Sequence, residues 1–192
     1  MTQQQIHDTV EQIFNLYETY GMDEYGESVS MTMHMMQCAQ LAQQAGETDE
    51  VILAAFLHDI GHFLEGDEKM DIYGTQKHDD LGGKFLADLG FPQKMADLVS
   101  SHVAAKKYLV YAEPAYYNAL SEASKITLQF QGGKMTASEA AAFEKDPLLP
   151  LYVKIRKWDD LGKDANKPVM DHEIQFMKEM TYHYLMKLES KS

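Results

Sequence analysis

The sequence predicts an all-α protein, and three observations support that prediction. Apolar residues recur at spacings of three and four along most of the chain, as they do on one face of a helix. No segment alternates apolar and polar residues over a convincing strand length. Glycine and proline fall between the helical patterns, where turns are expected. Neither a repeat nor a linker divides the 192 residues, so we expect a single-domain helical bundle over residues 1–192.

The first helix is predicted over residues 3–20. Its apolar side chains have helical spacing: Ile6, Val10, Ile13, Phe14 and Tyr17. Two glycines and an acidic cluster follow, and a Met-rich helix is then predicted over residues 29–45. A third, central helix is expected over residues 50–60, with Thr48 or Asp49 as its N-cap. We expect Gly61 to end it in the left-handed conformation.

After a loop rich in Gly, Asp and Glu, the rest of the chain again shows apolar residues at helical spacing. Gly90 and Pro92 separate two of these later segments. Further helices are predicted over residues 79–89, 92–108, 116–131, 136–143, 149–159 and 169–188.

Composition and charge limit the classes of partner. The formal net charge of −13 argues against nonspecific binding to nucleic acid or to an anionic membrane. No apolar stretch is long enough to span a bilayer, and residues 1–7 do not resemble a secretory leader. The single cysteine, Cys38, excludes an intramolecular disulfide, so we expect a cytoplasmic protein. No obligate protein partner is predicted.

Four histidines and two aspartates form the candidate site. His58 and Asp59 lie inside a run of apolar residues, where unpaired polar groups are costly to bury. A helical bundle can bring inward-facing donors from separate helices to one metal centre. The predicted metal ligands are His34, His58, Asp59, His78, His102 and Asp159.

This set of donors is sufficient for two metals with a shared aspartate. A single histidine on an apolar face is more often a hydrogen-bonded core residue, so the ordered set of six carries the prediction. Imidazole suits Fe, Zn, Cu or Ni, and carboxylates extend the choice to Mn and Mg, so ligand type alone does not select the metal.

The order of these residues resembles the HD-domain superfamily, whose members are helical and bind metals through a His, a His-Asp pair and a late Asp. The extra His78 and His102 match its dinuclear branch. Further segments resemble the phosphonate-degrading HD oxygenases, relatives of myo-inositol oxygenase, and most closely those acting on 2-amino-1-hydroxyethylphosphonate. These segments cover residues 25–29, 101–109, 120–124, 127–133 and 156–160.

The resemblance implies two irons, an Fe(II)/Fe(III) pair, with O2 as co-substrate. It assigns His34, His58, Asp59 and Asp159 to one iron and His78, His102 and the bridging Asp59 to the other. Asp160 is the alternative for the late ligand. Asp159 is preferred because the lysine four residues later matches the spacing in myo-inositol oxygenase.

The resemblance also implies a small phosphonate substrate whose carbon–phosphorus bond is cleaved to glycine and phosphate. Lysine and arginine are suited to holding phosphonate oxygens. His62 and Lys106 are predicted to be catalytic as well as substrate-binding. The complete set of predicted substrate contacts is Tyr25, Glu27, His62, Lys106, Ser124, Thr127, Gln131 and Arg156.

Three other functions remain open at this stage. An HD phosphohydrolase would use the same His-Asp core to activate water against a phosphate ester. A noncatalytic HD-like signalling module would keep the bundle without metals. A related oxygenase would act on the N-trimethylated substrate, although a carboxylate such as Glu27 modestly favours a primary ammonium.

Overall fold

A computed structural model describes residues 1–64 and 70–190. Over those ranges the chain is helical and contains no β-strand, which confirms the predicted all-α class. The α-helices are α1 Gln3–Tyr20, α2 Met31–Gln44, α3 Asp49–Leu57, α4 His78–Asp88, α5 Gln93–Ser100, α6 His102–Ala112, α7 Tyr116–Ala119, α8 Glu122–Phe130, α9 Ala137–Phe143, α10 Leu149–Leu161 and α11 Asp171–Glu189. Two short 3-10 turns occupy Ile60–Phe63 and Asp71–Tyr73. No helix in the described ranges has both the length and the apolar character needed to cross a membrane.

Helix α3 lies at the centre of the bundle. Every side chain from Val51 to Leu57 is buried, and α2, α5, α10 and α11 pack around the helix. The ring of Phe56 stacks on Tyr17 of α1 at 4.7 Å, and the Tyr17 hydroxyl donates to the Phe56 carbonyl over 2.8 Å. A helix that is apolar on all sides belongs in the interior. The residues that follow it are therefore delivered to the middle of the protein.

The central helix is shorter than predicted. It ends at Leu57, and His58 and Asp59 lie in a turn before the 3-10 segment. Gly61 is not among the glycines with positive φ, so the expected left-handed stop is wrong. The glycine is needed for space instead, because a Cβ atom there would lie 1.7 Å from the His78 carbonyl oxygen. This close approach brings the start of α4 against the turn that carries Asp59.

Two segments predicted as continuous helices are each split by a serine. Ser101 separates α5 from α6, and its hydroxyl donates to the Leu98 carbonyl. Ser121 caps α8, because its hydroxyl accepts a hydrogen bond from the Ser124 amide. Serine competes for backbone hydrogen bonds in this way and favours helix starts over helix interiors. Both breaks lie beside the site, and the first places His102 at a helix start.

Candidate metal centre and ligand pocket

The four predicted histidine ligands converge in the interior. His34 lies in α2 and His58 directly follows α3, while His78 and His102 are the first residues of α4 and α6. All four are buried, and their exposed fractions run from 0% to 6%. Four separate elements therefore deliver imidazoles to one volume.

Backbone carbonyls fix the orientation of all four rings. The Nδ1 atoms of His58, His78 and His102 each lie 2.8–2.9 Å from the carbonyl oxygen of the residue three positions earlier. The Nδ1 atom of His34 lies 2.9 Å from the carbonyl oxygen of Gly162, just beyond α10. A carbonyl can only accept, so each Nδ1 carries a proton and each Nε2 points to the centre, where it can bind a second proton or a metal ion. Metal-ligating histidines are commonly oriented in this way.

The Asp59 carboxylate lies between two pairs of histidines. Its Oδ2 atom is 3.4 Å from His34 Nε2 and 3.3 Å from His58 Nε2. Its Oδ1 atom is 3.4 Å from His78 Nε2 and 3.2 Å from His102 Nε2. Each oxygen thus faces one pair, as expected of a carboxylate that bridges two metal ions.

The donor set fits metal cations on chemical grounds. Within the pairs, the Nε2 atoms are 3.2 Å apart for His34 and His58 and 2.8 Å apart for His78 and His102. Two unprotonated Nε2 atoms at that distance repel each other, and a proton or a metal cation between them removes the repulsion. Burial lowers the pKa of His58, but Asp59, together with Cys38 and Asp159, raises that pKa overall to about 9. The same negative potential that favours a proton here favours a metal ion.

Asp159 joins the first pair of histidines. Its Oδ1 atom lies 3.5 Å from His34 Nε2, and its Oδ2 atom accepts a hydrogen bond from Arg156 Nη1 over 2.6 Å. Burial alone would raise the pKa of Asp159, but the Arg156 cation holds it well below its usual value. The Asp160 carboxylate instead accepts hydrogen bonds from Arg156 and Tyr116. The structure therefore brings together the six predicted ligands, with Asp159 beside the first pair of histidines.

Cys38 is close to the centre but lies behind it. Its Sγ atom is 4.0 Å from His34 Nδ1, the ring nitrogen directed away from the other histidines. That nitrogen already pairs with the Gly162 carbonyl, and the thiol donates to the Trp158 carbonyl over 3.5 Å. We therefore assign Cys38 no ligand role, although its sulfur lies within 4.8 Å of a ring nitrogen of His34 and of His58.

His62 is stacked beside the second pair and is held as a hydrogen-bond donor. Its ring lies 3.8 Å from the His78 ring, and its Nδ1 atom accepts from the Thr75 amide over 3.2 Å. The proton therefore resides on Nε2. Burial and the neighbouring His78 keep the pKa of His62 well below its usual value, so the ring is neutral. The Tyr25 ring covers it from outside at 4.7 Å.

A pocket opens onto this centre. All the predicted metal ligands line it except His58, which lies directly behind Asp59 and is fully buried. Three cationic side chains also reach it: Lys106, Arg156 and Lys163. A metal centre and a positively charged wall therefore share one cavity.

One face of α8 supplies neutral polar groups to the pocket. The Lys106 ammonium donates to the Thr127 hydroxyl over 2.9 Å, and Lys163 approaches the Ser124 hydroxyl at 3.3 Å. The Gln131 amide nitrogen and oxygen are buried, and neither has a hydrogen-bond partner within the described part of the chain. Such a group is costly to bury unless a ligand binds it.

Burial and the nearby Arg156 cation lower the pKa of Lys106 to about 7.

Glu27 lies at the pocket mouth and is already paired. Its Oε1 atom accepts from Lys163 Nζ and from the Ser121 hydroxyl, both over 2.7 Å. A contact between Glu27 and a substrate amine therefore requires the amine to share this carboxylate with Lys163 or to displace it. The predicted substrate contacts all line the pocket, and their roles remain predictions.

Comparison with known proteins identifies the family. The HD-domain model matches residues 32–156, which include all the predicted metal ligands except Asp159. The chain belongs to the HD-domain family.

Curated HD-domain relatives with assigned activities are phosphonate dioxygenases. A [1-hydroxy-2-(trimethylamino)ethyl]phosphonate dioxygenase (glycine-betaine-forming) of Leisingera caerulea is 43% identical over 85% of this chain and 84% of its own. A hydroxymethylphosphonate dioxygenase of Gimesia maris is 38% identical over 85% of this chain and 83% of its own. Uncharacterized protein L432 of Acanthamoeba polyphaga mimivirus is 39% identical over 95% of this chain and 84% of its own. The expected membership of the phosphonate-oxygenase branch is confirmed.

Two residues of this HD-domain site were missed as contacts by the sequence reasoning. Lys163 lies four residues after Asp159, the same spacing that separates Lys106 from His102, and that shared spacing is a signal that could have placed it in the pocket. Tyr116 reaches Arg156 and Asp160 from a four-residue helix, over a sequence separation that no local pattern reveals.

Proposed function

We propose that this protein is a mixed-valent diiron oxygenase that cleaves the carbon–phosphorus bond of 2-amino-1-hydroxyethylphosphonate. The substrate and one O2 yield glycine and inorganic phosphate. The atoms balance when one oxygen of O2 enters the new carboxylate and the other enters phosphate. The observation that carries the proposal is the position of Asp59, which presents one oxygen to each of two histidine pairs beside a cationic pocket.

The ligands divide between the two ions as the family resemblance suggests. His34, His58 and Asp159 would hold one iron, His78 and His102 the other, and Asp59 would bridge them. When bound, the irons supply one-electron redox chemistry and a site for O2, which the side chains alone do not provide.

The chain's own residues bind and orient the substrate. The phosphonate would lie against Lys106, Thr127 and Gln131, which line the pocket and offer a cation, a hydroxyl and an unpaired amide. Charge-assisted hydrogen bonds from lysine are among the stronger contacts to such an anion. Glu27 lies beside Ser121 at the start of α8, and its carboxylate would be shared between Lys163 and the ammonium group of the substrate.

His62 acts as a fixed hydrogen-bond donor in this proposal. Because Thr75 holds its Nδ1 atom and its pKa is low, the ring presents an Nε2–H group beside the His78 ring. It therefore binds an oxygen of the substrate and does not take up its proton. Tyr25 stacks on the outer face of His62 and separates it from bulk water.

The deciding experiment incubates iron-loaded protein with 2-amino-1-hydroxyethylphosphonate under air and under argon. Glycine and phosphate should form in equal amounts under air and should not form under argon. An HD phosphohydrolase would release phosphate from an ester without O2, so turnover of phosphate monoesters under argon would replace the proposal with that function. Iron-free protein as purified would favour a noncatalytic module.

A second candidate is the N-trimethylated substrate, which the Leisingera caerulea relative uses by name. Two tyrosine rings, Tyr25 and Tyr73, line the pocket and offer the faces that a quaternary ammonium prefers. Glu27 instead favours the primary ammonium, which can donate hydrogen bonds to it. Values of kcat/KM for the two substrates and for hydroxymethylphosphonate, compared directly, decide among them. Whichever of these substrates is preferred, we propose that the protein acts on a small phosphonate in the cytoplasm.

A further inference from the structure

The Arg156 guanidinium is held on three sides. Its Nη1 donates to Asp159 Oδ2 over 2.6 Å and its Nε donates to the Tyr116 hydroxyl over 3.0 Å. Its Nη2 donates to Asp160 Oδ1, and the Tyr116 hydroxyl in turn donates to Asp160 Oδ2. Arg156 is only 3% exposed. The sequence led us to expect a guanidinium free to grip a phosphonate, but each of its nitrogens already has a protein acceptor.

These contacts act on one oxygen of a predicted metal ligand. Asp159 Oδ2 accepts from Arg156 over 2.6 Å and lies 3.9 Å from His58 Nε2, while Asp159 Oδ1 lies 3.5 Å from His34 Nε2. The oxygen that Arg156 binds is therefore the more distant of the two from the histidine pair. An arginine with five donors in a rigid plane fixes a carboxylate more tightly than a flexible lysine does. The guanidinium can hold Asp159 in place only if its own plane is fixed, and Tyr116 and Asp160 provide that restraint.

We propose that Tyr116 and Asp160 are positioning residues for the metal centre, because they lock Arg156 so that Asp159 offers a single oxygen to its metal. We call Tyr116, Asp160 and Arg156 the Arg156 brace. If Asp159 bound its metal through one oxygen only, a coordination position that a second Asp159 oxygen could fill would stay available. This inference rests on the proposed metal centre but not on the identity of the phosphonate.

The test compares Tyr116→Phe with a matched neighbour. Tyr116→Phe removes the hydroxyl that joins Arg156 to Asp160. Tyr117→Phe is the control, because Tyr117 lies in the same short helix and its side chain is exposed. Fe(II) is titrated anaerobically into metal-free protein, and kcat and KM are measured on the loaded enzyme. Partners that orient metal ligands typically contribute about 10–100-fold in metal affinity. We expect Tyr116→Phe to weaken one of the two iron sites about tenfold and to lower kcat, with KM within about twofold of wild type.

A second variant, Asp160→Asn, keeps the shape of the brace but removes its charge. It should weaken the same iron site, and the double variant should be less affected than the two single effects combined, since both residues act through Arg156. Wild-type iron affinity in both single variants would overturn the inference. A rise confined to KM would also overturn it, because it would place the two residues in phosphonate binding. If wild-type protein binds iron but leaves the phosphonate intact, the proposed function is refuted. The iron titrations of the variants would still test the positioning role.

Discussion

The Nε2 atoms of His78 and His102 lie 2.8 Å apart, although the Nδ1 atom of each ring already donates to a backbone carbonyl. Two acceptor lone pairs therefore face each other in a buried space, with Asp59 Oδ1 within 3.4 Å of both. A metal cation among these three atoms would be bound by all of them, and their mutual repulsion would be removed. The arrangement explains why we expect metal to be part of the native protein.

The first prediction concerns Asp59, because its two oxygens serve both pairs of histidines. Asp59→Ala should remove both irons and reduce turnover to background, measured by iron per chain and by phosphate release. His102→Ala should lose only one iron, since the other pair remains intact. Asp80→Ala, at an exposed position of α4, is the control and should keep both ions. Full iron content and activity in Asp59→Ala would refute the bridging role.

The second prediction concerns the pH dependence of substrate binding. The pKa of Lys106 is lowered to about 7 in the free protein, so its charge is present below that pH and is lost above it. KM should therefore rise as pH increases from about 6 to 9. Hydrogen bonds to charged groups contribute about 1.5–3 kcal/mol, so Lys106→Met should raise KM at least about tenfold at low pH.

The comparison between variants isolates the lysine from the ionisation of the phosphonate itself. Wild type and Lys106→Met should converge in KM at high pH, because the wild-type lysine is then neutral. Lys107→Met, at the neighbouring and more exposed position, should follow the wild-type profile. Parallel profiles for wild type and Lys106→Met would show that Lys106 does not carry the effect.

The third prediction separates stability from binding at Gln131. Its buried amide has no partner within the described part of the chain, so an apolar replacement of similar size removes a desolvation cost of about 1–3 kcal/mol. Gln131→Leu should raise the free energy of unfolding by up to about 1 kcal/mol and should raise KM. Urea denaturation and steady-state kinetics measure the two effects, with Gln129→Leu, at an exposed position of α8, as control. A stability loss without a change in KM would contradict a substrate contact.

The fourth prediction tests the close approach at Gly61. A Cβ atom there would lie 1.7 Å from the His78 carbonyl oxygen and 2.8 Å from the Gly82 nitrogen. Gly61→Ala should lower the free energy of unfolding by about 3 kcal/mol or more, since overpacking typically costs 1–3 and backbone cannot yield as a side chain does. It should also weaken the iron bound by His78.

Gly46→Ala provides the matched control for that variant. Gly46 has a φ of +72°, but nothing lies within 4 Å of its added Cβ. The cost should be limited to the left-handed backbone, about 1–2 kcal/mol, with iron content unchanged. Equal losses of stability in the two variants would show that the contact with His78 is not the cause of the Gly61 effect.

Much of this molecule follows from local pattern. Helical spacing located the elements, and the apolar run before His58 correctly marked the buried centre of the bundle. The breaks were harder to predict, because they depend on hydrogen bonds made after folding. Ser101 reads as a helical residue in the sequence, but it separates two helices and places His102 at the start of the second.

The partners of charged side chains were the least predictable part of the site. Arg156 lines the pocket, as its spacing predicts, but its guanidinium also donates to Tyr116 and Asp160, and only tertiary structure brings Tyr116 there. Glu27 and Lys163 are far apart in sequence and form an ion pair at the pocket mouth. Sequence spacing predicts which side chains lie on the same face of a helix. It does not predict which side chains from other helices contact that face.

The contact between His34 Nδ1 and the Gly162 carbonyl ties the orientation of an early ligand to the far end of α10. Ions held between His34 and Asp159 would therefore act as a non-covalent cross-link between distant parts of the chain. Ligands that bind only the native state raise its stability by mass action. Chelators should then lower the melting temperature and increase susceptibility to proteases, so iron supply would govern how long the protein survives as well as how fast it works.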